Sequence, residues 1–218
     1  MYRIAAILVF ASLSTSCAAR QPVTNANVAA PQNAGVAFST ESGRPVVVAR
    51  VNEQEMPVIF DSGSQGAVIA KSLADSLKLE VIGEAMVGSP YGGPPKTAFI
   101  VSLGSLSLGG VNAVQTDAVI IDDSQMPPGS PTLVIGPNMF ADHAVELDFA
   151  TQMLHFSSEM PGDAANWQKM DGRGMLKTTL TIGQEKIDVT IDTGNPGGLN
   201  LPKSLADRLG IVLAPMPG

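Results

Sequence analysis

A chain of 218 residues, 44% apolar and only 15% charged, can bury a core for one large or two small globular domains; collagen, coiled-coil and extended disordered architectures are excluded. Its 22 Gly and 16 Pro predict many turns and short strands rather than a helical bundle. Thirteen basic against twenty acidic side chains leave a net charge of −7 and no electrostatic footprint for nucleic acid. One Cys and two His (His143 and His155) cannot furnish a disulfide framework or a Cys/His zinc site. Chemistry therefore falls to carboxylates, hydroxyls and backbone.

The amino-terminal segment reads Arg3, an apolar run over 4–13, then small residues from Ser14 to Ala19, the three parts of a secretory signal. Its apolar run is about half of what a membrane-crossing helix requires. The mature protein is thus expected outside the cytoplasm, in a periplasm or cell envelope. Cys17, just after that run, is similar to the acylated cysteine of a bacterial lipoprotein, although Ser14 stands where such signals usually carry Leu. Lipid attachment at Cys17 is one reading, and the only membrane contact expected; cleavage after Ala18 or Ala19 by an ordinary signal peptidase is the other. Residues 18–42, rich in Ala, Asn, Gln and Pro without apolar periodicity, read as a disordered tether behind a signal at 1–17.

From Arg44 the pattern changes to strands. V-V-V-A-R-V (46–51), a polar turn N-E-Q-E and M-P-V-I-F (56–60) predict a hairpin. It runs into D-S-G-S-Q-G at 61–66 and an amphipathic segment at 71–79 that predicts one or two helical turns. Further strands are expected over 97–103, 105–108, 113–121, 132–135, 144–149 and 153–156, separated by Gly, Pro, Asn and Asp turns. Asp122, Asp123, Asp142 and Asp148 fall in turns or at strand ends and read as solvated, and both His follow the core pattern. The polar stretch 157–174 reads as a connector in which Trp167 and Met170 pack. Then the grammar repeats: L-K-T-T-L-T-I (176–182), the turn G-Q-E-K, I-D-V-T-I (187–191), D-T-G-N-P-G at 192–197 and a short helix at 203–209. K-S-L-A-D is identical in the two copies, so one structural unit has been duplicated.

A strand entering Asp-Ser/Thr-Gly holds a carboxylate on a tight turn, where Gly takes backbone conformations closed to other residues and the hydroxyl can bond neighbouring backbone. Two such turns, each with the same hairpin before it and helix after it, resemble the retropepsin-like aspartic peptidases, specifically the exported bacterial members with two lobes in one chain. The resemblance spans about 43–213 and rests on the two turns and on V-I-G at Val134 to Gly136, which matches the family's hydrophobic-hydrophobic-Gly segment. It implies a mostly β fold: an acid-protease β-barrel lobe with short helices at 43–156, the connector, and an incomplete second copy at 175–218. Residues 138–156 match the closing helix and hairpin of a lobe.

By the same resemblance Asp61 and Asp192 are the catalytic pair, with Ser62, Gly63, Ser64, Thr193, Gly194 and Gly136 in support. Ser62 and Thr193 would bond across the lobes. Ser64 would donate to the Asp61 carboxylate, and Asn195 departs from the pattern at the matching place. The stretch 88–95 falls where the family has its flap, with Tyr91, Gly92 and Gly93 against substrate; a plain surface loop is the alternative. Two carboxylates about 3 Å apart share one proton, and the aspartic proteases are the standing example of this effect. The implied activity is endopeptidase hydrolysis of a peptide or protein substrate by an activated water.

Only 26 residues follow Asp192, against 95 after Asp61 up to and including Phe156, too few for a flap and a second V-I-G counterpart, so either the sequence is a fragment of a longer protein or its second lobe stays incomplete. A chain ending there is expected to be weakly active or inactive as a monomer, with a homodimer through lobe one, pairing Asp61 with its symmetry mate, as the escape. A non-catalytic peptide-binding envelope lipoprotein is the alternative function, and a purely structural lipoprotein leaves the duplicated turns unexplained.

Overall fold

A computed structural model describes residues 34–88, 94–159 and 176–211. The first strand, β1 (Ala34–Ala37), lies inside the stretch expected to be tether. Its sequence A-G-V-A shows no alternation; the strand exists because it pairs antiparallel with residues 153–156, and Phe38 after it is only 4% exposed. Paired structure therefore already includes residues 34–37, ahead of the boundary expected at 43, and the Cys17 segment lies outside the described residues.

Strands β2 (Val46–Val51) and β3 (Gln54–Phe60) form the expected hairpin, in register from Val46↔Ile59 to Val51↔Gln54. Its turn is tighter than the four residues expected. Asn52 and Glu53 alone make it, with φ of 45° and 68°, a left-handed pair that matches the twist of the flanking strands. Val47, Ala49 and Val51 point into the core while Val48 faces out. At the end of β3 the alternation stops, and Val58, Ile59 and Phe60 are all buried. That strand is central here, and both of its faces are covered.

Next come β4 (Ala67–Ala70), α1 (Lys71–Ser76), β5 (Val81–Val87), β6 (Lys96–Ser102), β7 (Leu106–Leu108), β8 (Val111–Asn112), β9 (Asp117–Ile121) and β10 (Leu133–Ile135). Neither β4 nor β5 stands out in the sequence, and the single strand expected over 113–121 is β9 alone, with β8 ending before it. After β10 a 3-10 turn (Pro137–Phe140) leads to the hairpin β11 (Ala144–Asp148) and β12 (Met153–Ser157). Nine strands form one sheet in the order β5-β6-β9-β4-β10-β3-β2-β7-β8, and β1-β12-β11 form a second. Phe60, Ile69, Leu103, Leu133, Ile135, Phe140, Leu154 and Phe156 fill the space between them. Phe140 and Phe156 lie 5.0 Å apart between ring centres. His143 meets Phe156 edge-on, in keeping with a packing role.

The second copy consists of β13 (Lys177–Ile182), β14 (Glu185–Thr190) and α2 (Lys203–Arg208). Its likeness to the first extends to single hydrogen bonds. In both helices the Ala of K-S-L-A-D is buried and the Lys pairs with the Asp one turn on. Both end in the same cap: Lys78 N–H donates to Asp75 O and Leu79 N–H to Ala74 O, as Gly210 does to Asp207 and Ile211 to Ala206. Lys78 and Gly210 sit in the left-handed region at φ 53° and 66°. Glycine meets no steric penalty there, whereas a side chain does. Lys78→Gly is therefore expected to stabilise the protein by about 0.5–1 kcal/mol, read as a higher midpoint in thermal denaturation.

The first helix also receives help from elsewhere. Ala70 at its N-cap has no side-chain acceptor, and Asp123 supplies one by accepting from the backbone and hydroxyl of Ser72. Those hydrogen bonds hold the Asp123 carboxyl below its usual range. Asp123 is thus a cap on another element rather than only a solvated charge. Asp122 closes the capping box of its own 3-10 turn with Gln125.

Candidate active site

Each acid lies where a strand ends. Asp61 follows β3 and is fixed by its backbone: its N–H donates to Ile135 O at 2.9 Å, and the N–H of Phe60 donates to Pro45 O at 2.9 Å. Behind it β10 runs between β3 (parallel) and β4 (antiparallel), which brings Val134–Gly136 under the turn. Gly136 is glycine for a spatial reason. A Cβ there would collide with the carbonyl of Ser64, and its N–H donates to Gly66 O at 2.9 Å. Asn138, two residues on, donates from Nδ2 to Gln65 O at 3.1 Å, so one loop is held from beneath at two carbonyls. Asp192 follows β14, where Ile191 N–H donates to Leu176 O at 2.8 Å, the counterpart of the Phe60 bond.

The two turns then engage each other. The Ser62 hydroxyl donates to Ile191 O (2.8 Å) and accepts from Thr193 N–H (3.0 Å); the Thr193 hydroxyl donates to Phe60 O (3.0 Å) and accepts from Ser62 N–H (3.0 Å). This is one pattern written twice about a pseudo-twofold axis. Ser62 is 2% exposed, so both of its bonds are made in a nearly dry setting. The glycines are reciprocal as well: a Cβ on Gly63 would stand 2.7 Å from Asp192 Cγ, and one on Gly194 would strike the Asp61 carboxyl. The bare backbone of each turn lets the other turn's acid approach.

Asp61 and Asp192 therefore face one another across the two turns. Asp61 Oδ1 also accepts from Gly63 N–H (2.7 Å) and, across the axis, from Gly194 N–H (3.2 Å). Burial pushes the Asp61 carboxyl up to about 6; the Asp192 charge and the hydrogen bond to Asp192 add to the rise, and the two backbone N–H groups oppose it. Asp61 is half-buried and Asp192 exposed, so the two acids are not equivalent.

Ser64 departs from expectation. Its hydroxyl donates to Gly66 O at 2.9 Å rather than to the Asp61 carboxylate, because the loop curls back and sets that carbonyl beside it. Asn195, at the matching place, likewise serves its own loop, accepting from Gly197 N–H and donating to Gly198 O. Tyr91, Gly92 and Gly93 lie outside the described residues, as do Trp167 and Met170; the strands flanking the expected flap, β5 and β6, form an antiparallel hairpin from Val81↔Val101 to Val87↔Lys96. Sequence reasoning missed Asn138 and Arg44, whose Nε–H donates to Gly194 O at 2.6 Å. Both act on backbone carbonyls of distant residues, for which a sequence carries no pattern. Among the described residues no cluster of His, Cys, Asp and Glu could hold a metal ion, and no helix is long and apolar enough to cross a membrane.

Residues 47–138, from β2 through Asn138, match the family model described as aspartyl protease. This segment belongs to the aspartyl protease family. Solved structures similar to the chain include a retropepsin-like aspartic protease from Rickettsia conorii, 15% identical with a TM-score of 0.40 over 57% of this chain and 89% of that one. Basic 7S globulin from soybean is 14% identical with a TM-score of 0.33, over 63% of this chain and 45% of the globulin. No curated protein sequence matches the chain. The family segment carries the first acid and the V-I-G strand; the second acid lies beyond it, brought in by the duplicated unit.

Proposed function

We propose that the chain is an aspartic endopeptidase in which Asp61 and Asp192 share one proton. The observation that carries this reading is the reciprocal approach of each turn's glycine to the other turn's carboxyl, which leaves the two acids face to face. Burial makes Asp61 the member that keeps the proton. Its protonated carboxyl donates to the carbonyl oxygen of the scissile peptide, while exposed Asp192, as carboxylate, takes a proton from the attacking water. As the tetrahedral intermediate collapses, the proton on Asp192 passes to the leaving amine and Asp61 recovers its own. The substrate is an extended peptide or unfolded protein, met outside the cytoplasm after export by the amino-terminal signal, with Cys17 as the point of any lipid anchor.

The pH profile tests the assignment. The reactive state holds one proton on the pair, so activity is present below the raised Asp61 value and is lost as pH climbs through it. With denatured casein as substrate, kcat/KM is expected to fall about tenfold per pH unit above pH ~6. A rate that stays level from pH 5 to 8 refutes a shared proton.

A further inference from the structure

The two acid-bearing turns are supported unequally. The first rests on β10, Gly136 and Asn138. The second has no such strand beneath it among the described residues; its bonds to the first lobe run through Ser62, Phe60, Asp61 and Arg44.

Arg44 is placed for this. It sits one residue before Pro45, which is buried and whose carbonyl accepts from Phe60, so its backbone is fixed beside the strand that delivers Asp61. The turn before it closes through Gly43 N–H to Thr40 O at 2.8 Å with Gly43 at φ 75°. A Cβ on Gly43 would stand 2.9 Å from Pro196 Cβ, so this turn lies flush against the D-T-G-N-P-G loop. From that mount the half-buried guanidinium reaches Gly194 O at 2.6 Å, a short charge-assisted bond across 150 residues of sequence. The same Gly194 donates its N–H to Asp61 Oδ1. One residue of the second turn is thus gripped at its carbonyl by Arg44 and at its N–H by the first acid.

We propose that Arg44 is a positioning residue: it clamps the second acid-bearing turn onto the first lobe and so keeps Asp192 within proton-sharing distance of Asp61. The proposal rests on the acid-pair reading above. A planar guanidinium with its donors in a fixed fork suits the task of gripping a backbone carbonyl.

The test uses the full chain and compares Arg44→Ala with Asp61→Asn and the parent. In Arg44→Ala, amide hydrogen exchange over 192–198 is expected to quicken about tenfold while exchange over 144–157 stays at the parental rate. On a denatured protein substrate, its kcat is expected to fall about 100-fold with KM changed less than about twofold, as for loss of alignment rather than of binding. Unchanged exchange over 192–198, exchange quickened equally over 144–157, or a parental kcat overturns the clamp. The two proposals fail separately. Parental activity in Asp61→Asn sinks the acid pair while the exchange measurement still judges the clamp; an inactive Asp61→Asn beside an Arg44→Ala with parental exchange and kcat sinks the clamp alone.

Discussion

Asp61→Asn is expected to abolish peptide hydrolysis and, above pH 6, to make the protein more stable than the parent. The first effect follows from removing the carboxyl that keeps the proton, a loss of about 1,000-fold or more in kcat. The second follows from linkage. Asp61 binds its proton more tightly in the fold, at about 6, than its ordinary 3.8. Its contribution to stability is therefore complete below pH 3.8 and is lost as pH rises through 6. Asparagine keeps the shape and an oxygen for Gly63 and Gly194, can donate to Asp192, and carries no charge to be lost. Thermal denaturation at pH 7.5 should show a higher midpoint for the variant, about 2–4 °C for each kcal/mol recovered, and a much smaller gap at pH 4. Equal midpoints for the two proteins at pH 7.5 would contradict the raised value assigned to this acid. The pairing of lost activity with gained stability is what an acid held against burial and, next, a neighbouring charge predicts, and it separates a catalytic role from simple structural damage.

Gly63→Ala is expected to be the most damaging single methyl in the first turn. The new carbon would stand 2.7 Å from Asp192 Cγ, so the second acid must retreat and the shared proton is lost. A retreat near 1 Å lowers kcat about 100-fold, and the displaced packing destabilises the fold by about 1–3 kcal/mol. Gly66→Ala, three residues on, is the internal control: a Cβ there meets nothing within 4 Å, so activity and midpoint should stay close to the parental values. Steady-state kinetics and thermal denaturation of the pair decide the matter. Equal activity of the two variants would mean that the turns do not meet as described.

The duplicated turns were legible in the sequence because close approach of two backbones restricts which residues fit. Asp61 and Asp192, Gly63 and Gly194, and the helix K-S-L-A-D recur in order, and the structure repeats them down to matching helix caps. The first hairpin was legible because β2 alternates between core and solvent. Strands β1 and β4 were not, since A-G-V-A and A-V-I-A become extended only when partners distant in sequence pair with them, and neither was β5, an edge strand with G-E-A inside it that is held by its hairpin neighbour β6 alone. The Ser64 hydroxyl was misread for a related reason: its loop presents the Gly66 carbonyl to it, and the curl toward Gly66 is set by tertiary packing against Gly136. Arg44 escaped notice because a lone arginine ahead of a strand looks like any surface cation until its carbonyl partner arrives from the far end of the chain.

The crossed dependence of the glycines has a consequence for how the two halves can drift apart. A side chain gained by one repeat injures the acid belonging to its sibling, so neither turn is free to mutate on its own account at Gly63 or Gly194. At Ser64 and Asn195, where each loop closes on itself, no such mutual veto operates, and there the twins have already parted company.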